Sequence, residues 1–259
     1  GVRFLMKVPG VNQVIMNKIR TELINAFGGE FYEVIIGGAA FNKEVEAFFK
    51  KMGFPFTVGY GMTECAPIIT YDDWQEEKLY SCGKAAPNME VRIASADPVN
   101  IPGEIQIKGA NVFLGYFKNE EATAEVFTED GWFKTGDMGI LDEDGSLFIK
   151  GRTKCMILGP SGQNIYPEEV ETVINSQPYV VDSLVVEDNG GLTALIYPNF
   201  ADGLRDGMKQ EAFVKYLEGT LNDLNKELPN YAKLKKIEVM SEDFERTPKK
   251  SIKRYLYQR

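Results

Sequence analysis

Val11, Ile15, Ile19, Leu23 and Phe27 form a four-residue apolar row, the mark of one face of an amphipathic helix. The run "FYEVIIGG" (31–38) is short, β-rich and closed by two glycines. "NKEVEAFFKKMG" (42–53) reads as a helix with Asn42 near its cap and Gly53 just past its end. "FPFTVGYG" (54–61) is a second strand-like run that ends in glycines. Strand, helix and strand in this order predict a βαβ unit in a parallel sheet. Ligands of such sheets gather at the carboxyl ends of the strands, where both glycine runs fall.

From about Ser81 to Arg152 the pattern changes to short alternating runs: "MEVRIAS", "GEIQIKG" and "MGILDEDGSLFIKGR". "DEDGS" (142–146) lies between two apolar runs and is a hairpin signal. A small β-barrel or sandwich is predicted here. After Arg152 the pattern changes again. "YPEEVETVINSQ" (166–177) reads as a helix with Pro167 and two acids in its first turn. "VDSLVVED" and "LTALIYP" read as strands, 206–228 as one long helix, and "KKIEVM" (235–240) as a strand. The fold class expected is therefore α/β plus α+β. Residues 1–80 belong to a parallel-sheet part, 81–152 to a β-barrel-like part and 153–259 to a compact α+β domain.

Composition narrows the chemistry. The chain has 259 residues, 44% hydrophobic and 26% charged, as in a globular protein. No stretch approaches the roughly 18 uninterrupted apolar residues of a membrane span. The net charge of −9 argues against nonspecific nucleic-acid binding, although residues 226–259 carry ten Lys/Arg against five Asp/Glu. Cys65, Cys82 and Cys155 are odd in number and widely spaced, which suggests reduced thiols and a cytoplasmic setting. There is no histidine. That removes an imidazole base, a Ser–His–Asp triad and His-ligated zinc. The first residues, "GVRFLMKVPG", look like neither a signal nor a clean domain start, and the chain reads as a piece of something longer.

Three stretches look like chemistry. In "VGYGMTECAPIITY" (58–71), Thr63 can donate to a phosphate oxygen and Glu64 can ligate Mg²⁺. Tyr60, between glycines, can lay its ring against a flat base. A tight turn with a solvated Thr and Glu explains the same residues. In "GWFKTGDMG" (131–139), Asp137 can accept from two ribose hydroxyls, or simply form an Asx-type turn. In "IKGRTKCMILGPSGQNIYPEEVE" (149–171), Arg152 and Lys154 stand where the pattern changes, which is also what a charged interdomain linker looks like.

The order and spacing of Gly-Gly-Ala, Tyr-Gly-Met-Thr-Glu, Gly-Trp-Phe-Lys-Thr-Gly-Asp and Gly-Arg-x-Lys resemble the adenylate-forming (AMP-binding) superfamily, over essentially the whole chain. Within it, "GGAAFNKEVEAFFKKMGFPFTVGYGMTECAPII", "GWFKTGDMGILDEDGSLFIKGRTKCMI" and "GQNIYPEEVE" look most like long-chain fatty acyl-CoA synthetases. The resemblance implies a two-step reaction. A fatty acid and ATP give acyl-AMP, the C-terminal domain rotates, and CoA displaces AMP. It implies that Gly37, Gly38 and Ala39 wall the adenine pocket and that Tyr60 stacks on adenine. Thr63 would hold the α-phosphate, and Glu64 the Mg²⁺. Asp137 would bind the ribose, and Arg152 the same sugar or the phosphate. Lys154 would be the hinge, and the loop around Gly162 would face the CoA channel. Met62, Ile68 and Ile69 could line an acyl tunnel, but core packing explains most such side chains.

Two departures stand against this pattern. The family's phosphate loop lies upstream of Gly1, so the isolated chain is expected to be inactive and to need the missing N-terminal half of the same enzyme. The family also ends in Thr-Pro-x-x-Lys-Ile-x-Arg, and here the run is "TPKKSIKR" (247–254). Ser251 falls at the lysine position and cannot supply its charge. Lys250 is the nearest substitute and Lys249 the second, and Lys253 holds a variable position. A solvated basic tail explains Lys249 and Lys253. Other readings are an acyl-AMP or acyl-carrier-protein ligase, and a degenerate protein that binds an acyl-adenylate without turnover. Peripheral membrane contact would suit lipid substrates, though no basic amphipathic helix supports it.

Overall fold

The apolar row from residue 11 forms helix α1 (Val11–Ala26), and the Gly-bounded runs after it form strands β1 (Val34–Ile36) and β2 (Phe56–Val58). These belong to a computed structural model that describes residues 11–160, 162–248 and 250–259. The N-terminal "GVRFLMKVPG" and the candidates Ser161 of the "SGQN" loop and Lys249 lie outside the described residues. The chain divides into unit 1, up to Ile149, and unit 2, from Lys150.

In unit 1, helix α2 (Lys43–Met52) separates β1 from β2, and the two strands pair in parallel, Ile35 opposite Thr57. This is the βαβ unit. Its helix starts where Asn42 Oδ1 accepts from the Glu44 and Val45 amides at 3.0 and 3.1 Å. It stops where Gly53, at φ 67°, donates its amide back to Lys50, a left-handed cap that glycine adopts without penalty. Met16, Met52, Phe54, Phe56 and Val58 form the buried core between α1, α2 and the strands. Two parallel strands are few for an open α/β sheet, which normally buries both faces. Ile35, Tyr32 and Phe27 stay exposed beside it.

β3 (Tyr60–Gly61), β4 (Ile68–Tyr71) and β5 (Lys84–Ala85) form a small antiparallel sheet. β6 (Met89–Ala94), β7 (Gly103–Gly109), β8 (Phe133–Leu141) and β9 (Leu147–Arg152) form a four-stranded sheet, in that order. β6, β7 and β8 pair antiparallel. Helix α3 (Glu120–Val126) lies between β7 and β8 in the chain. The β8–β9 turn is the hairpin read from "DEDGS", closed by the Asp142 amide donating to the Ser146 carbonyl at 3.1 Å. Among the described residues these strands form an open sheet rather than a closed barrel.

In unit 2, β10 (Ile157–Leu158) and β11 (Asn164–Ile165) form a short hairpin that leads into helix α4 (Pro167–Asn175). β12 (Val180–Asp188) and β13 (Gly191–Pro198) pair antiparallel, and β14 (Leu234–Val239) joins β13 in parallel. The long helix expected over 206–228 is in fact broken. A short helix α5 (Phe200–Arg205) precedes it, and α6 (Gln210–Gly219) and α7 (Leu221–Glu227) meet at Thr220. Thr220 Oγ1 donates to the Leu217 carbonyl at 2.6 Å, a side-chain bond that competes with helix continuation. The break lets α7 send Leu224 into the core of Val170, Ile174, Leu192 and Ile237.

Glu46 of α2 is 3% exposed and accepts from the Tyr80 amide. Burial raises its carboxyl to about 7, the Tyr80 amide and Lys43 oppose that, and Glu77 adds to it. Between about 4.5 and 7 the folded chain therefore keeps a proton that the unfolded chain has released. Stability falls as pH rises through that window. Glu46→Gln should flatten this slope and be more stable at pH 8 by roughly 1–3 kcal/mol. Urea unfolding of both proteins from pH 4.5 to 8 checks it, and parallel curves would show that Glu46 titrates normally.

Candidate nucleotide site

The glycine-rich ends of β1 and β2 come together as the parallel sheet requires. The Gly59 amide donates to the Ile36 carbonyl at 2.8 Å, and a Cβ on Gly37 would lie 3.1 Å from the Gly59 carbonyl oxygen. Gly37, Gly38 and Ala39 thus sit at the carboxyl end of β1, beside the start of β3, and Gly38 and Ala39 are exposed.

From β3 the chain makes a tight turn through a 3-10 segment, Thr63–Cys65, and returns along β4. Gly61 is required here. A Cβ at this position would stand 1.9 Å from the Pro67 carbonyl oxygen, and the next amide, of Met62, donates to that same oxygen at 2.9 Å. The turn points Thr63 outward, exposed, and leaves Glu64 half-buried. Cys65 is fully buried, and burial followed by the Glu64 charge pushes its thiol up to about 12.

Four bonds from the segment after β7 hold this turn. The Phe113 amide donates to the Glu64 carbonyl at 2.8 Å. Asn111 Nδ2 donates to the Cys65 and Ile68 carbonyls at 2.6 and 3.2 Å. The Tyr116 hydroxyl donates to Glu64 Oε1 at 3.1 Å. Asn111 and Tyr116 were not among the expected site residues. They stand about fifty positions from their partners, and only the "FLGY" run, a bulky apolar stretch broken by glycine, marks the place.

Tyr60 and Asp137 meet. The Tyr60 hydroxyl donates to Asp137 Oδ2 at 2.6 Å, and the two residues are 8% and 7% exposed. The Tyr60 ring packs in the cluster of Cys65, Ile69, Ile105, Ile107 and Phe133. Burial, and then the Asp137 charge, hold the phenol well above the usual tyrosine range, so it remains a donor. Thr135 sets the height of Asp137 on β8: its hydroxyl donates to the Ile105 carbonyl at 2.8 Å and accepts from the Asp137 amide at 3.1 Å. Met62 and Ile69 pack in this same core, and Ile68 is half-buried.

The remaining candidates lie in unit 2. Arg152 is exposed at the end of β9, and Lys154 is exposed in a 3-10 turn, Thr153–Cys155. Gly162, at φ 77°, donates its amide to the Gly159 carbonyl at 2.9 Å in the β10–β11 turn. Lys250 is exposed, with a left-handed backbone at φ 64°.

The chemistry available is that of a phosphate and hydroxyl binder. Among the described residues no cluster of three or more His, Cys, Asp or Glu could hold a metal by itself. A lone carboxylate such as Glu64 suits Mg²⁺ all the same, since that ion keeps water and phosphate oxygens as its other ligands.

The AMP-binding enzyme family matches residues 1–117, and the AMP-binding enzyme C-terminal domain matches 156–259. A long-chain-fatty-acid–CoA ligase, FadD15 of Mycobacterium bovis, is 35% identical over 68% of this chain and 28% of its own. A 2-succinylbenzoate–CoA ligase of Listeria innocua is 39% identical over 66% of this chain and 36% of its own. Solved structures of the Bacillus subtilis o-succinylbenzoate CoA synthetase superpose as well. The complex with the acyl-adenylate OSB-AMP gives a TM-score of 0.74 at 29% identity, over 92% of this chain and 49% of that one. The complex with ATP and magnesium ion gives 0.73 at 29%, over 90% and 49%. The chain belongs to the AMP-binding, adenylate-forming acyl-CoA ligase family. It spans between a quarter and a half of the length of these relatives.

Gly61→Ala should cost about 2–3 kcal/mol, because the atom met is backbone and cannot swing aside. Tyr60→Phe should cost about 1–2 kcal/mol by removing a buried donor from a carboxylate. Urea unfolding measures both, and a change under roughly 0.5 kcal/mol in either would show that the turn or the pair is soft.

Proposed function

We propose that these 259 residues are the C-terminal portion of an AMP-forming long-chain fatty acid–CoA ligase acting in the cytoplasm. The observation that carries the reading is the Tyr60–Asp137 hydrogen bond at 2.6 Å. It brings the aromatic ring and the carboxylate needed by a nucleoside to one place beside the Thr63–Glu64 turn, from positions 77 apart.

In this reading a fatty acid carboxylate oxygen attacks the α-phosphate of ATP, and pyrophosphate leaves. Gly37, Gly38 and Ala39 wall the adenine pocket, Tyr60 carries adenine on its ring, and Asp137 takes the ribose hydroxyls. Thr63 donates to the α-phosphate. Arg152 reaches the ribose or phosphate, and Lys250 approaches the reacting carboxylate. Glu64, held by Tyr116, is the ligand for Mg²⁺, which neutralises phosphate charge when bound. The C-terminal domain, residues 153–259, then turns about Lys154, and the loop at Gly162 faces the channel where the CoA thiol attacks the acyl carbon and AMP leaves. The two β1–β2 strands and the exposed Ile35 beside them support a sheet completed by an N-terminal half, which also supplies the phosphate loop. The fatty acid is chosen over 2-succinylbenzoate on the motif runs 37–69 and 131–157. A carrier-protein thiol in place of CoA, and binding without turnover, are the alternatives; Ser251 favours the second.

ATP–pyrophosphate exchange by the complete enzyme, with fatty acids of graded length and with 2-succinylbenzoate, tests the proposal. Exchange that rises with long acids is expected. Exchange only with 2-succinylbenzoate, or none while acyl-adenylate still binds, would overturn it. The 259-residue chain alone should show no exchange. Lys250→Ala should slow adenylation by about 10–100-fold and thioester formation from acyl-adenylate far less. Equal slowing of the two steps would remove Lys250 from the site.

A further inference from the structure

Lys250 sits at the tip of a loop whose two ends are each pinned by an arginine. At the first end, Arg246 Nη2 donates to Asp182 Oδ2 of β12 at 2.9 Å and to Asp243 Oδ1 at 2.8 Å. Its Nη1 reaches across the loop and donates to the Lys250 carbonyl at 3.2 Å. At the second end, Arg254 makes a two-pronged pair with Glu171 of α4: Nη1 to Oε1 at 2.9 Å, and Nη2 to Oε2. Glu168 Oε1 lies 3.8 Å from the same guanidinium. Glu171 is 7% exposed, and its Oε1 also accepts the Val185 amide of β12 at 2.7 Å. Burial raises this carboxyl above the ordinary range, and Arg254 pulls the other way.

Between the arginines the backbone closes on itself. Arg246 and Ile252 form an antiparallel bridge, and the Thr247 amide donates to the Ser251 carbonyl at 2.8 Å. The Lys250 amide donates to the Thr247 carbonyl at 2.8 Å, which holds Lys250 in its left-handed conformation. Lys253 pairs with Glu245 across the neck at 3.1 Å. Below it, Phe244 is buried with Leu184, Val186 and Leu195, and Ile252 and Tyr257 pack against that cluster. A bidentate guanidinium–carboxylate pair fixes direction as well as distance. Arg254 makes one with Glu171, and Arg246 adds single bonds to Asp182, Asp243 and the Lys250 carbonyl; acting on different elements, they leave the loop little freedom to rock.

We propose that Arg254 with Glu171, and Arg246 with Asp182, are positioning residues that clamp this loop onto α4 and β12 and aim Lys250 for the adenylation step. The inference rests on the reading of Lys250 given above. It explains how a lysine one place from the family's usual position can serve: the left-handed turn at Lys250 redirects its side chain, and the clamps hold the result. The Arg254–Glu171 pair is largely buried, the Glu171 side chain 9% exposed, so the test variants keep a positive charge there and change only its geometry. A displacement of about 1 Å at a reacting centre can cost about a hundredfold in rate.

The test uses Arg254→Lys and Arg246→Lys, which keep the charge and lose the fork, beside Lys250→Ala. Hydrogen exchange on this chain reads the clamp. The Thr247, Lys250 and Lys253 amides should exchange at least about tenfold faster in both clamp variants, while Leu195 and Ala194 in β13 stay protected. In the complete enzyme the clamp variants should lose about tenfold or more in the kcat of pyrophosphate exchange, with KM for ATP and thioester formation from acyl-adenylate nearly unchanged. Unchanged loop exchange overturns the proposal. So does equal loss in both half-reactions, or no loss, while Lys250→Ala still slows adenylation alone. If Lys250→Ala leaves adenylation intact, the reading of Lys250 fails and the positioning role fails with it.

Discussion

A buried carboxylate must be partnered, and Asp137 is the point from which unit 1 organises itself. A carboxylate that is 7% exposed is costly to leave unpaired. The Tyr60 hydroxyl meets that need at 2.6 Å, and in doing so ties the start of β3 to the middle of β8. The tie joins the small antiparallel sheet of β3, β4 and β5 to the four-stranded sheet. Thr135, two residues before Asp137 on β8 and buried like it, bonds to β7 and sets where Asp137 can stand. Because the Tyr60 ring packs in a buried cluster while its hydroxyl bonds Asp137, a packing residue and a polar one are the same residue.

The same constraint recurs with other partners. In α2, buried Glu46 meets a backbone amide and remains next to Glu77, so it favours its protonated form. In α4, buried Glu171 meets an amide and a guanidinium. These buried groups differ from the solvent-exposed pair of Lys226 and Asp223, whose side chains are each 75% exposed. Such a pair is screened by water and contributes little. The polar groups that shape the interior, Asp137, Glu46 and Glu171, are buried and held by neighbours from distant parts of the chain.

Much of the local structure was legible beforehand. Asn42 and Gly53 bracket α2 as cap chemistry requires, and "DEDGS" closes the β8–β9 hairpin. Both depend on residues within a few positions of one another. Thr220 was missed because the apolar pattern of 206–228 continues through it, and only the packing of Leu224 shows that the axis must change. A small β-barrel or sandwich was expected from the alternating strands, and the strands form an open four-stranded sheet among the described residues; alternation reports which face is buried and says nothing about closure. Thr63, Glu64 and Asp137 stood out because hydroxyls and carboxylates beside glycines have no packing role. Asn111, Tyr116 and the Arg254–Glu171 pair did not, since each acts on a partner 43 to 83 positions away.

The amino-acid order by itself determined the βαβ unit, the hairpins and the motif set that marks the family, and it shows no histidine in these 259 residues. These follow from periodicity, from glycine and cap chemistry, and from residue types present or lacking. The tertiary structure decided which candidates share a surface. It joined Tyr60 to Asp137, set the Pro67 carbonyl oxygen where a side chain on Gly61 would clash, and gave Glu64 its Tyr116 support. It also put Lys250 at the tip of a loop held by two arginines. The physical reason is that hydrogen bonds and close contacts act over about 3 Å of space, and chain order does not record which distant residues come within that reach.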